Sequence, residues 1–178
     1  MKLKNKSILF TILLTLALNG CGVYSFTGIS IDYSQVKTIS IATFFNDSGG
    51  GPPNLSQQFT EAIKDYFQQN SELLLVNYDG DLQLEGAITG YRLRPVNSTA
   101  GGNTVSTASG NSLQRLEIVV KASFIHTKDD TQSYEKTFTF FSDYDPASTS
   151  LTAAEPELID TIFEQIIFDI FNASVANW

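Results

Sequence analysis

Apolar and polar positions recur along this chain with two different periods, and the switches between them divide it into elements. Val36 to Phe45 is rich in β-branched and aromatic residues and predicts a strand, with Ile39, Ile41, Thr43 and Phe45 on one face. Asn46 to Pro53 collects Asn, Gly and Pro and predicts a loop. The period then becomes helical. Leu55, Phe59, Ala62, Ile63, Tyr66 and Phe67 recur three and four apart, Asn54 is placed to cap the helix with Gln57 as its capping-box partner, and the helix should end near Asn70. Glu72 to Tyr78 predicts a second strand, and Asp79-Gly80 a two-residue hairpin turn, since both positions tolerate positive φ. A third strand starts at Asp81 with Leu82, Leu84 and Ile88 inward. Its apolar phase then shifts to Tyr91 and Leu93, which predicts a bulge near Gly90.

Residues 97–112 are almost entirely Ser, Thr, Asn, Gly and Ala, and predict a long polar loop. Loops of this length are uncommon unless functional or disordered. The next strand alternates cleanly. Leu116, Ile118, Val120, Ala122 and Phe124 face in, while Arg115, Glu117, Lys121 and Ser123 face out, with Val119 and Ile125 as apolar exceptions on that outer face. After a polar turn at 128–131, Ser133 to Ser142 predicts a strand with Tyr134, Phe138 and Phe140 on one side. Asp143 to Thr152 reads as loop, and Pro156 suits a first helical turn. Leu158, Ile159, Ile162, Phe163, Ile166, Ile167, Ile170 and Phe171 then form a wide apolar stripe on a C-terminal helix. The order β-α-β-β-β-β-α, with one apolar face per element, predicts an α+β two-layer sandwich. Both helices pack on one face of a mostly antiparallel or mixed sheet, and the other face is open to water or a partner.

The N-terminus changes this picture from a free domain to an anchored one. Lys2, Lys4 and Lys6 precede an apolar run from Ile8 to Leu18, the pattern of a secretory signal. The run is too short to span a membrane, which takes about 20 residues. Leu18-Asn19-Gly20-Cys21 follows the lipobox pattern of bacterial lipoproteins: Gly20 fits a small peptidase subsite, and the Cys21 thiol accepts a diacylglycerol. Asn19 is not a favoured residue in that pattern. The predicted organisation is a signal peptide at 1–20, a lipidated lead at 21–35 and a single domain at 36–178. Each buried CH₂ of an acyl chain contributes about 0.8 kcal/mol, and stable anchoring takes more than one chain.

Charge and chemistry narrow the function. Loss of three lysines with the signal takes the formal net charge from −8 to −11. That acidity argues against nucleic acid as a partner, whose recognition requires a basic face. With Cys21 acylated no thiol remains, so neither a disulfide nor thiolate chemistry is expected. The single histidine, His126, is expected as a solvated side chain beside a turn, and no metal site is predicted. Gly49-Gly50-Gly51-Pro52 lacks the Lys-Ser/Thr of a phosphate-cradling loop. The pairs Asp79/Asp81 and Asp129/Asp130 sit where turns favour Asp. No catalytic set is predicted, and the covalent lipid on Cys21 is the only non-protein group expected. The three arginines of the mature chain, Arg92, Arg94 and Arg115, flank the polar loop and would cluster if their strands form a hairpin. They are either solvated strand-end residues or an anion site for a lipid phosphate or acidic partner, since a guanidinium binds such groups bidentately.

Several stretches together resemble the LptE family of lipopolysaccharide-assembly lipoproteins, in the form found in Bacteroidetes-type bacteria. They are Cys21 to Gly28, Val36 to Ile41, Leu55 to Ala62 and Asp81 to Tyr91. The resemblance implies a sheet carrying two helices and an outer-membrane lipoprotein on the periplasmic side. It implies a plug in the lumen of the LptD β-barrel that helps assemble its partner and pass lipopolysaccharide to the outer leaflet. Some members bind lipopolysaccharide through basic residues, but no motif here carries those positions over. Two other classes remain open: a periplasmic ligand-binding lipoprotein, which needs a cavity between sheet and helices, and a glycan hydrolase, which needs convergent carboxylates in a cleft. Gly22 after the lipidated cysteine is not the Asp that marks inner-membrane retention, so the inner leaflet of the outer membrane is the expected address. Replacing Cys21→Ala should abolish labelling by radioactive palmitate and leave the chain at its precursor mass. A labelled, cleaved variant overturns the lipobox reading.

Overall fold

The computed structural model describes residues 33–96 and 113–175. The signal, Cys21, the lead with Tyr24 and Phe26, and the 97–112 loop lie outside the described residues. Six strands form one mixed sheet: β1 (Thr38–Ile41), β2 (Phe45–Asn46), β3 (Leu74–Val76), β4 (Leu82–Val96), β5 (Leu113–His126) and β6 (Tyr134–Tyr144). Two helices, α1 (Leu55–Asn70) and α2 (Leu151–Ser174), cover one face. The strand order is β3-β1-β4-β5-β6, with β2 beside β4 farther along. The expected α+β two-layer arrangement is therefore the one observed. β4, β5 and β6 are antiparallel, whereas β1 is parallel to both its neighbours.

Parallel pairing overturns the hairpin expected at Asp79-Gly80. Asp79 does adopt positive φ, at 54°, but the strands on either side of it do not pair with each other. β1 lies between them, and residues 77–81 cross its open face. β1 supplies the fittings for this crossing with its outward polar side chains. Ser40 Oγ accepts the Gly80 N–H at 3.3 Å, and Thr38 Oγ1 accepts the Asp81 N–H at 2.9 Å. Asp81 Oδ2 accepts in return from the Lys37 N–H, the Thr38 N–H and the Thr38 hydroxyl. Those bonds, with Lys128 Nζ at 3.4 Å from the other oxygen, hold the Asp81 carboxyl down at about 2.

The first strand is also not continuous. It breaks at residues 42–44 into β1 and β2, and the side-chain phase reverses there. Phe44 is fully buried and Phe45 is 65% exposed, the opposite of the expected inward Phe45, and Thr43 is exposed. The cause lies on α1. Thr60 Oγ1 accepts the Phe44 N–H at 3.0 Å and Ser56 Oγ donates to the Phe44 carbonyl at 2.6 Å, so a helix rather than a strand takes up the backbone of this residue. The Phe44 ring then starts an edge-to-face series through Phe59 to Phe163 of α2, with centroids 5.0 and 4.9 Å apart. Such pairs contribute about 0.5–1.5 kcal/mol beyond their burial.

Both helix starts differ from expectation. Asn54 has φ −95° and ψ 9°, outside the extended region a capping residue occupies, and its side chain makes no cap bond. Gln57 instead bonds Glu61 one turn on. α2 begins at Leu151, capped by Ser150 Oγ accepting from the Ala153 N–H, which leaves Pro156 inside the helix rather than at its first turn. A proline there removes one i→i−4 donor, and burial of the Leu158–Ile170 stripe offsets that loss.

The core fills the space between sheet and helices. Leu82, Leu84, Ile88, Leu116, Ile118, Val120, Ala122 and Phe124 all face α1 and α2 and are essentially inaccessible. Gly86 is required under Phe44: a Cβ there would meet the Lys121 carbonyl at 2.2 Å and Phe44 Cε1 at 2.5 Å. The predicted bulge is present, with register passing from Ile88↔Val120 to Gly90↔Val119. Replacing Thr60→Val keeps the shape but leaves the buried Phe44 N–H without an acceptor. The expected loss is about 1–3 kcal/mol in urea unfolding, and an unchanged midpoint would show that α1 does not set the break.

Candidate functional site

The bulge in β4 decides which way its arginines face. Without the extra residue, Arg92 and Arg94 would share the inward face of Ile88. With Thr89 inserted, Gly90 pairs with outward Val119, so Arg92 and Arg94 emerge on the open face while Tyr91 and Leu93 turn inward. A Cβ on Gly90 would approach Val119 Cγ2 to 2.9 Å, so the offset depends on a missing side chain. Register then places Arg92 opposite Glu117, Arg94 opposite Arg115, and Arg115 opposite Asp143. The three arginines thus cluster, as the hairpin expectation required.

Each guanidinium has a partner. Glu117 bridges two of them, Oε1 to Arg92 Nη1 at 3.2 Å and Oε2 to Arg94 Nη2 at 3.0 Å. Arg115 makes a bidentate pair with Asp143, at 2.7 Å from Nε and 2.8 Å from Nη2, and its plane lies 3.5 Å over the Phe141 ring. The bond to Arg115 holds the Asp143 carboxyl below its usual range, and the same bond raises Arg115. Arg115 is therefore committed to the fold of the sheet. Arg92 and Arg94 are not: their side chains are 64% and 55% exposed, and each spends one nitrogen on Glu117. Three cations against two carboxylates leave a small local excess of positive charge on an acidic protein. Chemically, the group can hold an anion between Arg92 and Arg94 or exchange Glu117 for an outside carboxylate.

Sequence reasoning missed the partners of this cluster. Glu117 was readable as outward, but its position opposite Arg92 depends on the bulge. The sequence pattern places Asp143 in a loop, whereas β6 continues to Tyr144. The open face continues past the cluster to a shallow depression of about 320 Å³, lined by Phe45, Ala87, Lys121 and Glu135, with Lys121 and Glu135 paired at 2.7 Å.

The other candidates resolve into structure. His126 is buried, not solvated as expected, because the 126–133 turn closes over it. Its Nδ1 accepts the Asp129 backbone N–H at 2.8 Å, and the His126 backbone N–H donates to Ser133 Oγ. Asp129 accepts from the Thr131 N–H and hydroxyl and from Gln132, bonds that lower its carboxyl. These aspartates shape turns, as their positions predicted. Tyr91, turned inward by the bulge, donates to Glu155 of α2, and burial with this contact raises its hydroxyl well above the usual range. Among the described residues, no three His, Cys, Asp or Glu side chains are grouped to hold a metal ion, and no helix is long and apolar enough to cross a membrane.

A family model described as LptE, Lipopolysaccharide-assembly, matches residues 36–174. Curated proteins give no match. Among solved structures, a minor lipoprotein from Acinetobacter baumannii is similar with a TM-score of 0.51 at 15% identity, over 80% of this chain and 95% of its own. A protein from Xanthomonas campestris is similar with a TM-score of 0.54 at 13% identity, over 80% of this chain and 85% of its own. At such identities the likeness is one of fold. Removing the bridge by Glu117→Gln should increase retention on an immobilised-phosphate column and change stability by less than about 1 kcal/mol. Unchanged retention would show that Arg92 and Arg94 do not offer a usable anion site.

Proposed function

This chain belongs to the lipopolysaccharide-assembly family LptE, and from that premise we propose that it is a non-catalytic, lipid-anchored subunit of the lipopolysaccharide translocon. In this reading Cys21 carries the acyl chains that hold it on the periplasmic side of the outer membrane. The domain enters the lumen of an LptD-type β-barrel, assists its assembly, and helps deliver lipopolysaccharide to the outer leaflet. The family match over residues 36–174 carries this reading. Its physical support is the shape of the molecule. The space between sheet and helices is filled by Phe44, Phe59, Phe163 and their neighbours, so the domain is suited to act as a rigid body rather than by enclosing a ligand. Its open sheet face carries the paired charges of Arg92, Arg94, Arg115, Glu117 and Asp143 beside exposed Phe45 and Phe141, a mixed surface suited to contact with a partner.

Arg92 and Arg94, with Arg115 behind them, are the proposed contacts to anionic groups of lipopolysaccharide or of the barrel. Extracting the lipoprotein from membranes in mild detergent and isolating it by an affinity tag should recover a large β-barrel protein. Absence of one would overturn the plug reading. Replacing all three arginines by Gln should weaken capture of the barrel or of lipopolysaccharide, read in the same preparation. Retention of both at wild-type levels removes the arginines from the proposal while leaving the plug intact.

A further inference from the structure

β3 is the outermost strand on one side of the sheet, and among the described residues its second edge has no partner. The strand is short, but neither a charged side chain nor a proline guards its edge. Leu74-Leu75-Val76 contains no charge and no proline, Leu74 is 67% exposed, and Tyr78 just beyond is 78% exposed. An unguarded apolar edge is a template for another strand.

The chain itself arrives at this edge. Tyr33 packs against the core, and its hydroxyl lies near Glu72, two residues before β3. From a turn at residues 33–35 the chain enters β1, which runs parallel to β3 on its inner side. Residues that precede Tyr33 therefore reach the sheet at the N-terminal end of β3. A segment running back along the outer side of β3 from this point would be antiparallel to it. The preceding sequence, Val23 to Ile31, is rich in β-branched and aromatic residues and contains neither proline nor charge. The β3 ladder leaves room for it. The Leu74 N–H is taken by the Lys37 carbonyl on the β1 side, so alternation points the Leu75 N–H outward.

We propose that the free edge of β3 is the docking site for residues 23–31 of the same chain, added there as an antiparallel strand. The tether favours this occupant over a second copy, because a segment joined to Tyr33 meets the edge at an effective concentration in the millimolar range. Where Cys21 is lipidated, a consequence follows that rests on that reading. An undocked lead from Cys21 to Tyr33 would reach about 40 Å. Docking removes most of that reach, so the β3 edge becomes the corner of the domain held next to the membrane.

Amide hydrogen exchange on the full-length protein in detergent micelles tests the docking directly. Peptides covering 23–31 and 74–78 should both exchange at least about tenfold more slowly than an unstructured chain. In a Ser25→Pro/Thr27→Pro double variant, both should accelerate while 113–126 stays protected, which separates loss of docking from loss of fold. Leu75→Pro, which removes the outward donor, should release 23–31 in the same way. Exchange of 23–31 at unstructured-chain rates in the wild-type protein overturns the proposal. So does protection of 74–78 that rises with protein concentration, the mark of a second copy, or that survives the double variant unchanged. None of these outcomes bears on capture of a barrel protein.

Discussion

The crossing of residues 77–81 over β1 is the constraint on which the sheet depends. A β-carbon on Gly80 would come within 2.5 Å of the Ser40 nitrogen and 2.8 Å of the Ile39 carbonyl carbon. Only a residue without a side chain lets the connection lie flat on the strand. That contact allows β1 to be an interior strand with parallel neighbours on both sides, across a connection far shorter than parallel strands usually need. Asp81 then fastens the crossing by capping the start of β1 through Lys37 and Thr38. The rest of the order follows: β4 is set beside β1, β5 beside β4, and β6 at the far edge beneath α2.

Two changes of side-chain phase do the remaining work. Helices cover only one face, so each strand must keep its apolar set on that face or leave the register. β1 leaves it at residues 42–44, where α1 takes the Phe44 backbone and admits the ring to the core. β4 leaves it at Thr89, where the bulge turns Tyr91 inward to meet Glu155 and turns Arg92 and Arg94 outward to meet Glu117. The candidate anion site is thus a product of one inserted residue beside one glycine.

Charge is divided between the two faces in a way that suits a body with a defined orientation. α2 carries Glu155, Glu157, Asp160, Glu164 and Asp169 and no lysine or arginine. Arg92, Arg94 and Arg115 all lie on the opposite layer. An anionic surface would repel the helical side and attract the hairpin end of the sheet, with an effect that salt screens over about 10 Å.

Local pattern alone determined the element types, the inward residues of β5, the bulge near Gly90, and the two-layer class. Each of these depends on a period or a backbone preference that neighbouring residues carry. The outward direction of Arg115 is legible as well, because alternation along β5 places it without knowledge of any partner. Tertiary structure decided what local pattern leaves degenerate. Asp79-Gly80 favours a tight bend in a hairpin and in a crossing alike, and only the position of β1 selects the crossing. Phe44 and Phe45 are equally apolar, and only the Thr60 and Ser56 hydroxyls on α1 choose between them. Pro156 is acceptable at a helix start, yet burial of the stripe that follows, with the cap at Ser150, carries the helix through it. His126 reads as a turn residue, and the turn itself closes over the ring. The pairing of Arg115 with Asp143, and of Arg92 and Arg94 with Glu117, required the register of three strands, which no stretch of sequence contains by itself.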